Sequence, residues 1–183
     1  MIKVLINNLL LILFWSNMRI MEISNTPIAN INIDGSIEVL RNIFFECNHC
    51  TECCKLNNIP ATEEDIIKMV ENGVEVDQAV EELSPILIPC PNVENGVTKA
   101  YILRKKPFVN ECAFLNENNL CKIHEFKPLT CQLYPFSIRK KSEGYKAIIH
   151  PDCVCECIKL DVPEEESNTL QIVEELLSLL SLD

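Results

Sequence analysis

Glycine is scarce in this chain, with four residues among 183. Neither a G-x-G-x-x-G run nor a P-loop pattern occurs, so the backbone offers no glycine-rich cradle for nucleotide phosphates. Basic residues are also few: 16 against 27 acidic ones, a formal net charge of −11. Binding a phosphate backbone relies on clustered Lys and Arg, so no nucleic-acid partner is expected. Two short basic runs interrupt the acidity, Arg104-Lys105-Lys106 and Arg139-Lys140-Lys141. Each is expected to lie on a solvated strand face, because exposed charge normally needs no partner.

Long hydrophobic runs are missing too. The uninterrupted apolar stretch Leu9 to Trp15 is seven residues, far short of the ~20 that a membrane-spanning helix needs. No transmembrane span is expected. Lys3 supplies a minimal charged start, yet no small-x-small cleavage site follows Trp15. Three readings of residues 1–21 therefore stay open: a leader preceding a true start at Met18 or Met21, a buried or interfacial helix, and an export signal.

What the chain has in excess is cysteine, eleven residues. The odd count, the adjacent pair Cys53-Cys54 and the tight spacings argue against a secreted disulfide framework. At 183 residues and 48% hydrophobic composition the chain can bury a core without covalent staples. The thiols are accordingly read as reduced and metal-bound, in the cytoplasm.

Regular structure is expected in short pieces. Ile31, Ile33, Ile37 and Val39 flank an Asp34-Gly35 turn, which suggests a hairpin. Thr62 is a plausible N-cap for a helix whose first turn holds Glu63, Glu64 and Asp65, where the helix dipole favours negative charge. Ile66, Met69 and Val70 would form its apolar stripe, and Asn72-Gly73 would end it. A second helical stretch is expected over Asp77 to Leu83, strands over Tyr101 to Leu103 and Ala147 to Ile149, and a short helix from Lys127 to Tyr134. Asn95-Gly96 and Glu143-Gly144 mark turns. Pro163 to Leu182 reads as an amphipathic helix with Leu170, Val173, Leu177 and Leu180 facing inward.

The cysteines fall into three groups. The first, Cys47-x-x-Cys50-x-x-Cys53-Cys54, packs four thiols into eight residues. Two intervening residues let a tight turn bring both sulfurs to one metal, about 2.3 Å from zinc. The C-x-x-C-x-x-C run also has the spacing that places thiolates on the irons of one cluster in bacterial ferredoxins. Neighbours in an extended chain point to opposite sides, which would send one of Cys53 and Cys54 to a second site. The second group comprises Cys112-Ala-Phe-Leu, Cys121-Lys-Ile-His-Glu and Cys131-Gln-Leu-Tyr-Pro-Phe; the third is Cys153-Val-Cys155-Glu-Cys157. An extended third group would turn all three sulfurs to one face, so a single metal would capture them only if the chain bends. Cys90 stands apart and reads as a small buried hydrophobe. His49 and His124 are possible ligands, but a loop-exposed and a packing role, respectively, serve them equally well or better.

These steps, in this order, resemble the CxxCxxCC cysteine-cluster family, the YkgJ-type zinc- or iron-chelating domain. The resemblance runs from about Phe45 to Cys153: the C-x-x-C-x-x-C-C start, the C-x-F-L step, the C-x-I-(Tyr or His)-E-x-(Arg or Lys)-P step and the C-x-x-(aromatic)-P-F step. It implies metal or cofactor ligands at Cys47, Cys50, Cys53, Cys54, Cys112, Cys121 and Cys131, with a late cysteine, Cys153, making eight. Lys127 and Gln132 stand where the family commonly has Arg, which weakens the case for an anion beside the cluster. A related domain occurs in flagellin lysine methylases.

The expected fold is thus small irregular α+β, with short strands and loops organised around cysteine-bound metal. It would have two or three helices, including the C-terminal amphipathic one. Residues 22–160 would form the cysteine-cluster metal-binding domain, and residues 161–183 the helix packing on it. Three functions are compatible: an iron–sulfur protein (4Fe-4S) with a redox or electron-transfer role and an unnamed redox partner; a structural zinc protein serving as a protein-interaction module; and an accessory or methyltransferase-like enzyme of the flagellin lysine methylase type. No methyl-donor binding loop is visible, so the third ranks last. If the chain is an enzyme, an iron–sulfur oxidoreductase is expected.

Overall fold

The computed structural model describes residues 23–91, 93 and 95–182; the apolar leader, residues 1–21, lies outside them. In chain order the described residues form nine strands: β1 (Pro27–Ile31), β2 (Ile37–Val39), β3 (Ile43–Phe45), β4 (Pro60–Thr62), β5 (Ile86–Pro89), β6 (Val97–Ile102), β7 (Phe136–Lys140), β8 (Tyr145–Ile149) and β9 (Ile158–Leu160). They also form four α-helices: α1 (Glu63–Glu71), α2 (Val76–Ala79), α3 (Leu129–Leu133) and α4 (Thr169–Leu180). The class is small α+β as expected. Two of the four helices, α2 and α3, are four and five residues long.

Three antiparallel sheets divide the strands: β2-β1-β8-β7, β3-β9 and β4-β6-β5. The first contains the expected hairpin, with Ile31 opposite Ile37. Gly35, at φ +80, supplies the left-handed backbone of its turn. Ile33 sits in that turn instead of a strand and is exposed. The β7–β8 turn needs Gly144 for a second reason besides its φ of +85: a Cβ there would collide with the carbonyl oxygen of Ile31.

Helix α4 covers this first sheet. Ile172, Val173, Leu176, Leu177 and Leu180 are buried in one cluster with Ile28, Ile43 and Ile149. Leu170, expected inward, is 49% exposed. At about 100° per residue the buried stripe centres on Thr169, Val173, Leu176 and Leu180, and Leu170 falls just past its edge. Thr169, 1% exposed, takes the inward place in the first turn. Its Oγ1 accepts the Ile43 N–H at 2.8 Å. Beside it the Asn168 carboxamide closes on β3, accepting from Phe45 N at 3.0 Å and donating to Phe45 O at 2.8 Å. The start of α4 therefore pins the strand that leads directly into the first cysteine turn.

A second apolar cluster lies under the middle of the chain, where Ile59, Ala61, Met69, Val80, Leu103, Phe114 and Ile123 are buried together. Helix α1 docks there through Met69, fully buried, with Ile66 half-buried; Val70 is 44% exposed and not part of the stripe. Its N-terminus is a capping box. Asp65 N donates to Thr62 Oγ1 at 3.2 Å, and Thr62 N donates to Asp65 Oδ2 at 2.9 Å. The second carboxylate oxygen of Asp65 accepts from Leu129 N at 2.9 Å and so ties α1 to α3. Helix α2 stops at Ala79, short of the expected Leu83, because Val80 bridges to Leu103.

Candidate metal centre

The first cysteine turn leaves β3 and tightens at once. Cys50 N donates to Asn48 Oδ1 at 3.0 Å, His49 and Thr51 adopt positive φ (56° and 69°), and Glu52–Lys55 form a 3₁₀ turn. Cys53 and Cys54 are therefore not extended neighbours, and their side chains do not diverge. The Cys54 thiol hydrogen-bonds to Cys53, the largest cause lowering the Cys53 pKa to about 7, with Lys127 adding to it; the same bond raises Cys54. The 3₁₀ backbone overrides the alternation that an extended chain would impose. Cys53 is the first thiolate of the pair.

The second group folds onto this turn by backbone contact. Cys112 N donates to Cys54 O at 2.8 Å, and Asn110 Nδ2 donates to Lys55 O at 2.7 Å. Cys121 is held by a bridge to Leu115, inside a loop whose Asn116 side chain accepts from Asn118 N and Leu120 N, both at 2.9 Å. Cys131 rides on α3, which is fixed by the Leu129–Asp65 bond and by a hydrogen bond from Thr130 Oγ1 to Pro60 O. Chain segments 53–54, 112, 121 and 131 thus meet in one basin.

Electrostatics record the same meeting. Burial pushes the Cys131 thiol up to about 12, helped by Cys112, Cys53 and Cys121. Burial likewise raises Cys112 and Cys121, and each also feels Cys53. Mutual repulsion of this kind requires short separations in a poorly solvated site. Two cations face the thiols. Lys127 opposes the rise of Cys121 and Cys131. Lys105 turns inward, its Nζ donating to Cys54 O at 3.2 Å and to Leu56 O. Desolvation lowers its pKa, while Cys112, Cys54 and Cys131 push it back up.

The run Arg104-Lys105-Lys106 is therefore not the solvated strand face expected of it. Lys105 serves the thiol basin, and Lys106 pairs with Glu111 at 2.9 Å. A lysine flanked on both sides by cysteine-bearing segments was the available signal for Lys105. The run Arg139-Lys140-Lys141 does lie in solvent.

Cys47, Cys50 and the third group form a flank of the basin. Cys47 and Cys50 are exposed; burial raises Cys50, with Cys157, Cys53 and Cys47 adding to the rise. The third group bends at a turn over 156–157, and Cys155 lies close enough to Cys157 to hydrogen-bond to it. Cys155 is pushed up to about 12 by burial and by Cys157. Cys153 is fully buried and hydrogen-bonded to Tyr134. Tyr134 Oη also accepts from Val154 N at 2.8 Å, a role that the aromatic-P-F step did not reveal. Cys90 lies on the loop after β5, away from these groups in sequence. The His49 and His124 rings meet edge to face at 5.8 Å, joining the first and second groups.

None of the eleven cysteines forms a disulfide. Among the described residues, no three Cys, His, Asp or Glu side chains stand in a ready-made metal-holding arrangement. The donor chemistry nonetheless fits a thiophilic metal. Soft sulfur donors converge from separate segments, and two ammonium groups offset the charge that deprotonation would create. Zinc or iron suits such a set better than a hard oxygen-seeking cation.

A small α+β fold whose loops deliver free thiols to one basin defines a cysteine-cluster domain. The chain belongs to the CxxCxxCC family, described as a “Putative zinc- or iron-chelating domain”, which its residues 46–156 match. It is also similar to the uncharacterised protein MJ0939 of Methanocaldococcus jannaschii, at 35% identity over 118 residues. That match covers 60% of this chain and 35% of the relative, so the chain spans about a third of the length of the curated relative it matches. No solved structure gives a significant match. Among the described residues, no helix is long and apolar enough to cross a membrane.

Proposed function

We propose that this chain carries an iron–sulfur centre and passes electrons to a protein partner in the cytoplasm. The observation that carries the reading is the convergence of five thiols, Cys53, Cys54, Cys112, Cys121 and Cys131, in one half-buried basin with Lys105 and Lys127 beside it. A four-iron cluster takes four thiolates, as a tetrahedral zinc does, but unlike zinc it can be reduced, and the polar, cationic surroundings would tune its potential. Cys53 is exposed, which suits electron exchange with a docked partner. Cys47 and Cys50 complete the set from the flank. For the late cysteine, Cys157 is the better candidate than Cys153, because Cys157 faces Cys50 whereas Cys153 is engaged by Tyr134. When bound, such a centre supplies one-electron redox chemistry. The chain's own residues bind it, shield it and compensate its charge.

A structural zinc protein is the second reading. It is favoured by the irregular loops between Leu103 and Pro128, whose convergence on thiols is what a closed tetrahedral site would stabilise. Anaerobic purification followed by visible absorbance and metal analysis separates the two. Brown protein with iron and acid-labile sulfide supports the first; colourless protein with stoichiometric zinc and no iron sinks it.

A further inference from the structure

One cavity lies outside the thiol basin and backs directly onto it. It has a volume of about 440 Å³ and opens between the C-terminal end of α1, helix α2 and the turns that follow Cys112 and Cys121. That size is within the range of small-molecule sites. Its apolar wall is Val74, Phe114, Ile123 and Phe126; its polar groups include Gln78, Arg104 and Lys122.

The charge of this cavity opposes that of the molecule. The chain carries −11 overall, yet among the described residues two cations and no carboxylate line the cavity. Arg104 is held there by its backbone: Arg104 N donates to Ala79 O at 2.9 Å, and Arg104 O accepts from Ala113 N at 2.9 Å. Its Nε is buried with no hydrogen-bond partner. None of the three ion pairs among the described residues involves Arg104 or Lys122. The rest of the side chain is half-buried, and a buried N–H left without an acceptor carries a desolvation cost. A charge kept this way, beside an open apolar cavity, is suited to an anion that arrives from outside.

We propose that this cavity binds a compact monocarboxylate with an apolar body. The carboxylate would engage Arg104, with Lys122 at the rim, and the body would rest on Phe114, Ile123 and Phe126. Planar, forked guanidinium donors match a carboxylate bidentately. A polyphosphate fits less well. The nearby glycine, Gly73, spends its N–H on Val70 O, and four apolar side chains occupy the wall where phosphate oxygens would need donors.

The location gives the site a consequence for the thiols. The Phe114 and Ile123 N–H groups hydrogen-bond to the sulfurs of Cys112 and Cys121, respectively. The side chains of those same two residues line the cavity. A ligand pressing on Phe114 and Ile123 therefore touches residues that set the donors to two thiols. This coupling is independent of which metal the thiols hold.

Isothermal titration calorimetry of the full chain, purified anaerobically with its metal, tests the proposal with benzoate, acetate and inorganic phosphate as probes. Saturable benzoate binding is expected, weakened about tenfold or more by Arg104→Gln, as loss of a charge-assisted hydrogen bond predicts. Acetate, lacking the apolar body, should bind at least about tenfold more weakly than benzoate. Lys122→Gln, an exposed position, should weaken benzoate by a smaller factor and keeps the test open if Arg104→Gln does not fold. Metal per chain, measured on the same samples, should not change between wild type and variants. No saturable benzoate heat, or equal binding by Arg104→Gln and Lys122→Gln and wild type, overturns the site. Phosphate binding as tight as benzoate overturns its ligand class. A chain without iron that still binds benzoate leaves the site standing and removes only the iron–sulfur reading.

Discussion

At the scale of single residues, the thiols differ in what their surroundings ask of them. Cys131 and Cys121 lie in the basin, where burial resists the thiolate and only a bound cation could compensate it fully. Cys131→Ser and Cys121→Ser are expected to lose most of the metal. Cys90→Ser should keep it, since that residue belongs to none of the convergent segments. Metal per chain after anaerobic purification decides this, and equal loss in Cys90→Ser would break the division. Within the third group, Cys157→Ser should cost more metal than Cys153→Ser. The opposite order would return the late cysteine to Cys153. Lys105 is a second test at this scale. Its ammonium bonds the Cys54 and Leu56 carbonyls at the exit of the first thiol turn. Lys105→Met should therefore destabilise the protein by about 1.5–3 kcal/mol, the range for a lost hydrogen bond from a charged group, with Cys54 O still accepting from Cys112 N. Urea denaturation of the metal-loaded protein measures it.

Elements contribute through a few fixed points. The α1 capping box predicts that Thr62→Ala costs about 1 kcal/mol. Asp65→Ala should cost more, because Asp65 also accepts the Leu129 N–H that positions α3 and, through it, Cys131. The two variants should differ in metal content as well as in stability; equal metal content would show that the α1–α3 tie does not reach the thiol. Helix α4 gives a sharper contrast. Leu176 is buried and Leu170 is half in solvent. Leu176→Ala should cost about 2–5 kcal/mol, the range for truncating a buried leucine, whereas Leu170→Ala should stay within about 0.5 kcal/mol. Thermal melts of the two variants test which face is inward.

For the whole molecule, metal and proton compete for the same sulfurs. In the metal-free chain, burial raises Cys50, Cys112, Cys121, Cys131, Cys153 and Cys155. A raised thiol pKa means that the folded state holds its proton to higher pH than the unfolded chain does. That contribution to stability is complete below the ordinary thiol value of about 8.5 and is lost as pH rises from there towards about 12. Cys53, lowered to about 7, contributes with the opposite sign: its stabilisation is lost as pH falls through about 7. With Cys54 also raised by its bond to Cys53, seven raised thiols against one lowered thiol predict that the metal-free melting temperature falls between about pH 8.5 and pH 11. Metal uptake should run the other way and strengthen with rising pH, since thiolates bind and thiols do not. Chelation under reducing conditions should lower the melting temperature, because structural metal contributes on the order of 10 kcal/mol in small thiolate domains. Circular dichroism against pH, with and without chelator, tests all three signs.

Local patterns were readable without coordinates wherever the signal was itself local. The Asp34-Gly35 hairpin turn, the Thr62 cap and the C-terminal amphipathic helix depend on residues a few positions apart; the first two formed where their patterns lay, and the helix formed over Thr169–Leu180, starting six residues later than the expected Pro163. The cysteine spacing and the family it resembles were equally visible, because short-range turns determine whether neighbouring thiols can share a metal. The chain alone thus determined an α+β fold of short elements and a thiol-rich domain that chelates zinc or iron. Tertiary structure decided what depends on segments far apart in sequence. It joined Cys53 and Cys54 to Cys112, Cys121 and Cys131 and set Cys157 beside Cys50. It turned Lys105 from solvent towards the thiol basin and left the Arg104 Nε buried without an acceptor at the edge of a cavity. None of these follows from periodicity, because charge, burial and hydrogen bonding at such sites are set by chain segments that meet only after folding.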